Sequence, residues 1–132
     1  MPRFSRKSRS KLEGVDARLV LLLEEVVKYF DITVIEGKRS QERQNQLVKE
    51  GKSKTKFGKH VQGMAVDIAP YPIDWKARDD FHYLGGFVLG IACKMGINIR
   101  WGGDWSSSSL AKEQRTTKDN KFDDLVHFEI KE

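Results

Sequence analysis

The stretch Gly58-Lys59-His60-Val61-Gln62-Gly63-Met64-Ala65-Val66-Asp67-Ile68-Ala69-Pro70 decides how this chain is read. It changes character at Gly63. Before that glycine the residues read as a polar loop carrying His60. After it, Met64 to Ala69 alternates as a β-strand, with Val66 and Ile68 on one face and Ala65 and Asp67 on the other. Pro70 and Pro72 end the strand. A loop histidine and a strand carboxylate seven residues apart can aim at one point, as two ligands of a metal ion do. Such a pair also arises by chance. The reading therefore turns on whether the rest of the chain supplies a third ligand, a base and a groove.

Toward the N-terminus, Asp16 is placed to cap a helix whose apolar residues Leu19, Leu22, Leu23, Val26, Val27 and Phe30 recur at three-and-four spacing. The β-branched run Ile32 to Glu36 reads as a strand, broken by Gly37 and followed by Lys38 and Arg39. Ser40 caps a second helix through about Glu50, with Glu42 in its first turn and Gly51 as its stop. Residues 52 to 59 form a polar loop rich in lysine (Lys52, Lys54, Lys56, Lys59), solvated or drawing an anionic polymer toward a groove. Toward the C-terminus, Asp74 precedes a helix with Phe81, Leu84, Val88, Ile91 and Met95 on one side, closed by Gly96. Gly85 and Gly86 weaken that helix where it packs closely on the sheet. Ile97 to Trp101 and Leu125 to Ile130 read as two more strands. Between them Gly102-Gly103-Asp104-Trp105 opens a serine- and threonine-rich loop through Asn120, long enough to suggest function. This order predicts an α+β domain, one sheet of about four strands with helices against one face.

The chain of 132 residues fits one domain with a core of its own, and no apolar run reaches membrane-span length. With a single cysteine, Cys93, it has neither an intramolecular disulfide nor a cysteine-rich zinc site. Cys93 itself reads as a small buried hydrophobe. The formal net charge of +5 is concentrated: Arg3, Arg6, Lys7, Arg9 and Lys11 all precede the first acidic residue, Glu13. Segment 1–13 is expected to be a flexible, solvated terminus, and no nucleic-acid partner is expected, since Phe4 alone interleaves the charges. The apolar run Leu19 to Leu23 is too short and too closely bounded by charge for an export signal. Accumulation in the cytoplasm of the producing cell follows as an expectation.

The chain has three histidines. His82 falls in the third predicted helix without a partner pattern and reads as a surface residue. His127 falls in the last strand, where period two puts Leu125, His127 and Glu129 on one face and Val126, Phe128 and Ile130 on the other. Asp67 and His127 thus point away from the apolar layer, and the loop before Gly63 adds His60. Two imidazoles and one carboxylate suit Zn²⁺, with the fourth tetrahedral position left open. Asp124, three residues before His127, is the candidate proton shuttle, and Arg39 the candidate partner of a developing oxyanion. Trp101 reads as a core residue, and Trp105 as either core or groove wall. From the residues alone two classes stay open: a zinc hydrolase, or a zinc-stabilised binding module docking an envelope or other anionic polymer through residues 3 to 11.

Gly58 to Asp67 resembles the Ser-x-His-x-x-Gly-x-Ala-x-Asp motif of the zinc peptidases of family M15, and Asp124 to Glu129 resembles that family's second motif, an acidic residue, two others, then histidine. The likeness runs through Gly37 to Ser40, His60 to Pro70 and Arg100 to Trp105, and is nearest the phage L-alanyl-D-glutamate endolysins. It implies an antiparallel sheet with helices on one side, like that of Hedgehog and the D-Ala-D-Ala peptidases. It implies His60, Asp67 and His127 as ligands of one zinc ion, Asp124 as general base and acid, and Arg39 as the carbonyl partner. Trp105, Asp104 and Gln62 are the expected substrate contacts. The implied activity is cleavage of the L-Ala–D-Glu bond of bacterial peptidoglycan by a monomer without membrane insertion, reaching the wall through a partner holin. Removal of terminal D-Ala by a carboxypeptidase or dipeptidase is the alternative. The motif's serine is Gly58 here, so that hydroxyl contact is absent.

Overall fold

The computed structural model describes residues 3–52, 58–105, 108–110 and 124–131. Along the chain run α1 (Arg6–Ser10), α2 (Ala17–Val27), β1 (Ile32–Glu36), α3 (Gln41–Lys49), β2 (Ala65–Pro70), α4 (Arg78–Met95), β3 (Ile99–Trp101) and β4 (His127–Ile130). The four strands form one sheet in the order β1-β2-β4-β3, with every neighbouring pair antiparallel. The α+β expectation therefore holds. Lys54 and Lys56, and most of the long serine- and threonine-rich loop, lie outside the described residues.

Local chemistry sets the helix starts. The Asp16 carboxylate accepts the Arg18 N–H at 2.8 Å to open α2, and Ser40 Oγ accepts the Arg43 N–H at 3.0 Å to open α3. One stripe of α2, Leu19, Leu22, Leu23, Val26 and Val27, is buried against the core face of the sheet and α4. That sheet face is lined by Ile32, Val34, Val66, Ile68, Ile99, Trp101, Phe128 and Ile130. The predicted alternation holds for Val66 and Ile68 in β2 and for Phe128 and Ile130 in β4, but β4 starts at His127. Leu125 and Val126 lie in the turn before it, and Leu125, expected on the groove face, packs against the core.

Helix α4 departs from expectation in three ways. It starts at Arg78; Asp74 instead closes a turn, accepting the Lys76 N–H at 3.0 Å. Its buried face is Phe81, Leu84, Gly85, Val88, Leu89 and Ala92, while Met95 is exposed. Cys93 is exposed too, not buried as expected. The reason is steric. Gly85 and Ala92 are the residues small enough to let the helix approach the sheet, and turning them inward carries Cys93 and Met95 outward.

The N-terminal segment is a further correction. Phe4, Ser8 and Leu12, before, within and after α1, are all buried. Ser8 Oγ accepts the Val34 N–H at 3.0 Å, so α1 covers part of the open side of β1, an edge strand. Arg3, Arg6, Lys7 and Arg9 lie on the exposed side, which is why composition alone suggested a solvated tail.

The sheet register then decides what the opposite face carries. Val34 pairs with Ile68 but Glu36, not Ile35, pairs with Asp67, because β1 bulges between them. A bulge inserts a residue and re-aims the side chains after it. Here it puts a carboxylate where regular alternation would have put isoleucine. Asp67 also faces His127, and Glu129 faces Arg100, across the neighbouring ladders. Glu36, Asp67, His127, Glu129 and Arg100 thus form one polar row across the sheet.

Candidate metal centre

His60 reaches this row from a stapled loop. Its carbonyl accepts the N–H groups of Arg39 at 2.9 Å and Gly63 at 3.1 Å, and the Asp16 N–H donates to Gly63 O at 2.8 Å. Gly63 has φ of 73°, and a Cβ there would lie 2.4 Å from Gly14 O, so only glycine makes this turn. Lys59 is not a solvated charge: its Nζ donates to Ile130 O at 3.0 Å and ties the loop to β4.

Each imidazole has one nitrogen committed and one aimed inward. His60 Nδ1–H donates to Gly37 O at 2.9 Å, leaving Nε2 3.1 Å from Asp67 Oδ1. His127 Nε2–H donates to Glu129 Oε1 at 2.8 Å, leaving Nδ1 3.3 Å from the same Asp67 oxygen. Both histidines are buried, and one ligand atom from each of the three residues lies within 4.8 Å of the others. Ligand bonds of about 2.0–2.1 Å at tetrahedral angles set ligand atoms about 3.3 Å apart. The two measured separations match that spacing, and the outer acceptors fix the ring orientations as metal-ligating histidines require. The donor set fits a metal ion, and the residues brought together are the three expected from sequence.

The electrostatics agree. Burial works against ionised Asp67, yet its hydrogen bonds to His127 and His60 hold its carboxyl well below the usual carboxylate range. Burial likewise opposes a charged His127, but bonds to Asp67 and Glu129 outweigh it and push that imidazole up to about 9. Glu129, also working against burial, is held low by His127 and Arg100. The row keeps its carboxylates ionised and draws positive charge between them. A metal cation is one such charge, and its binding there would displace the proton from His127.

Asp124 opens the turn into β4. Its N–H donates to Gly102 O at 2.9 Å and its carbonyl accepts the His127 N–H at 3.0 Å. A Cβ at Gly102 would lie 2.2 Å from Asp124 O, so the glycine is what lets this turn lie against the β3 end. Burial first, then the charge of Asp67, pushes the Asp124 carboxyl up, while both histidines and Arg39 pull it down. Arg39 is more constrained than the sequence suggested. Its guanidinium binds Glu36 through Nε at 2.6 Å and a terminal nitrogen at 2.9 Å, and the other terminal nitrogen donates to buried Gln44 at 2.7 Å. It acts on Asp67 and Asp124 through its field.

Among the expected substrate contacts, Trp105 lies at the centre, its ring 5.6 Å from that of His127. Asp104 is buried beside Trp101, its N–H donating to Trp101 O at 3.1 Å. Gln62 is exposed on the His60 loop. Trp101 is core, stacked on Phe128 with Nε1–H donating to Leu125 O at 2.8 Å. His82 packs edge-on against Trp101 at 5.7 Å rather than standing free on the surface. Sequence reasoning missed Glu36, Gln44 and Arg100. Strand periodicity did place Glu129 on the His127 face, but the bulge hid Glu36 and only the β3–β4 register reveals Arg100.

An antiparallel α+β sheet carrying a His–Asp–His group fitted to a metal, its histidines buried and a half-buried carboxyl beside it, is the arrangement a metal-dependent hydrolase uses. The chain belongs to the phage L-alanyl-D-glutamate peptidase family, whose model matches residues 1–130. It is 28% identical over 134 residues to the L-alanyl-D-glutamate peptidase of Escherichia phage T5, covering 94% of this chain and 98% of that protein. Its fold is similar to the crystal structure of the L-Ala D-Glu endopeptidase ChiX of Serratia marcescens, with a TM-score of 0.79 and 29% identity over 98% of this chain and 90% of that one.

Proposed function

We propose that this peptidase is zinc-dependent and hydrolyses the L-Ala–D-Glu bond in the stem peptide of bacterial peptidoglycan. The observation that carries the metal reading is the convergence of His60 Nε2 and His127 Nδ1 on Asp67 Oδ1, with each ring's other nitrogen already donated. His60, Asp67 and His127 hold the ion, which when bound supplies Lewis-acid polarisation of the scissile carbonyl and acidifies water. Asp124 takes the proton of the attacking water and delivers it to the leaving amine of D-Glu. Its upward shift by burial supports that role, because a stronger base accepts the proton more readily. Arg39, fixed by Glu36 and Gln44, opposes the negative charge that develops on the carbonyl oxygen through its field. Trp105 beside His127 forms the wall on which the stem lies, with Gln62 and Asp104 as further contacts. One domain acting as a monomer, accumulating in the cytoplasm and reaching the wall after release, belongs to the same proposal.

The test is digestion of purified peptidoglycan by the zinc-loaded protein, with the fragments weighed by mass spectrometry. Stem peptides beginning at D-Glu are the expected product. Loss of terminal D-Ala instead would move the activity to the carboxypeptidase reading. Tight wall binding without any new amino terminus would leave a zinc-stabilised binding module and refute hydrolysis.

A further inference from the structure

Glu129 and Arg100 are the two groups of the polar row that the proposed chemistry does not use. Glu129 is buried in β4 two residues from His127, and its carboxylate is bound at both ends. Oε1 accepts from His127 Nε2 at 2.8 Å, and Oε2 accepts from a terminal nitrogen of Arg100 at 2.9 Å. Arg100 is the register partner of Glu129 across the β3–β4 ladder, so the backbone itself brings the two together. The same guanidinium lies over the ring of Trp105, 5.5 Å from its centre, and that ring is 5.6 Å from the ring of His127. Arg100 thus touches both neighbours of His127. Its own Nε is buried without a partner among the described residues. The guanidinium is therefore held on one side, by Glu129 and the Trp105 ring, while its Nε edge makes no bond among the described residues.

We propose that Glu129, clamped by Arg100, is a positioning residue that holds His127 with its proton on Nε2 and its Nδ1 lone pair on the metal. A carboxylate behind a ligating histidine fixes the tautomer, the ring rotation and the basicity of the ligand. His60 has only a backbone carbonyl, Gly37 O, behind it. The two ligands are thereby unequal, and His127 is the one whose hold on the ion depends on a side chain. The pair with Arg100 keeps Glu129 from swinging away, and a planar guanidinium does this while also laying its flat face on Trp105, whereas a lysine ammonium has no such face to stack. The inference rests on the metal-centre reading but not on which peptide bond is cut.

The experiment measures zinc affinity by competition with a chromogenic chelator, and the ring ¹⁵N shifts of His127 in the zinc-loaded protein, for the wild type, Glu129→Gln, Glu129→Ala and Arg100→Lys. Glu129→Ala should lose about 10- to 100-fold in zinc affinity and show His127 with a weakened or exchanged Nε2 proton. Glu129→Gln, which keeps the shape and one acceptor oxygen, should fall between, and serves if the alanine variant does not fold. Arg100→Lys should keep part of the affinity through its charge. Wild-type zinc affinity and His127 shifts in Glu129→Gln and folded Glu129→Ala would overturn the proposal. A wild type that binds no zinc would overturn the metal centre beneath it. Both readouts are independent of hydrolysis.

Discussion

Gly85 and Gly86 are neighbours in α4 that carry the same propensity cost, so replacing each with alanine separates helix propensity from packing. Alanine in a helix interior is better than glycine by about 1 kcal/mol. Gly86 is exposed and an added Cβ there meets nothing within 4 Å. Gly86→Ala should realise most of that gain. At Gly85 the added Cβ would lie 2.5 Å from Cε2 and Cζ2 of Trp101, about 1 Å inside the ordinary carbon–carbon contact. The indole cannot easily retreat. It is 2% exposed, stacked on Phe128, bonded to Leu125 O, and approached so closely by Gly103 that a Cβ there would be 2.2 Å from Cζ2. Overpacking of this kind costs about 1–3 kcal/mol. Propensity cancels between the two variants, so their difference reads the steric cost directly. Gly85→Ala should be the less stable by about 1–3 kcal/mol, with a melting temperature lower by about 4 °C for each kcal/mol in a domain of this size. Urea unfolding at equal slopes, followed by circular dichroism with a chelator present to remove metal linkage, gives the comparison. If Gly85→Ala proves as stable as Gly86→Ala, the account of close helix–sheet approach at Trp101 is wrong.

Three further outcomes are expected. Ser8→Ala leaves the Val34 N–H without its 3.0 Å acceptor and should cost about 1–3 kcal/mol in urea unfolding, whereas an unchanged midpoint would mean that this bond to the edge strand adds no stability. Asp124→Asn should lower turnover of a peptidoglycan fragment by about 10²–10⁴ while zinc affinity is unchanged, and retained turnover would remove Asp124 from proton transfer. The Glu36 carboxyl is held below its ordinary value of 4.5, chiefly by its hydrogen bond to Arg39. A depressed carboxylate contributes stability that is full above that unfolded value and is lost as pH falls through the folded one. The advantage of wild type over Glu36→Gln, about 1 kcal/mol or less for a pair exposed in part, should therefore be present near neutrality and fade as pH falls below 4.5. An advantage independent of pH would show that the charge of Glu36 does not contribute.

The legible parts were those written in short-range pattern. The strand Ile32–Glu36, the caps Asp16 and Ser40 and the stop at Gly96 all follow from residues a few positions apart, and each stands where expected. The face of α4 did not follow, because Ile91 and Met95 fit an apolar stripe as well as Leu89 and Ala92 do. Only the need to seat Gly85 against Trp101 selects between them. The N-terminal segment misled for a related reason: five basic residues outweigh Phe4, Ser8 and Leu12 in composition, but those three are the ones the fold buries, with α1 and its flanks folded against the domain.

For the site, the sequence alone determined that His60, Asp67 and His127 could converge, since a glycine turn and strand alternation fix which way neighbouring side chains point. It determined Asp124 as their neighbour by the same short spacing. What surrounds them was decided by the tertiary structure. The bulge in β1 brings Glu36 opposite Asp67, and the β3–β4 register brings Arg100 to Glu129. Arg39, expected at the strand end as the partner of a developing oxyanion, is tied to Glu36 and Gln44. Register and bulges depend on how strands from distant parts of the chain pack together, and no local spacing encodes that sum.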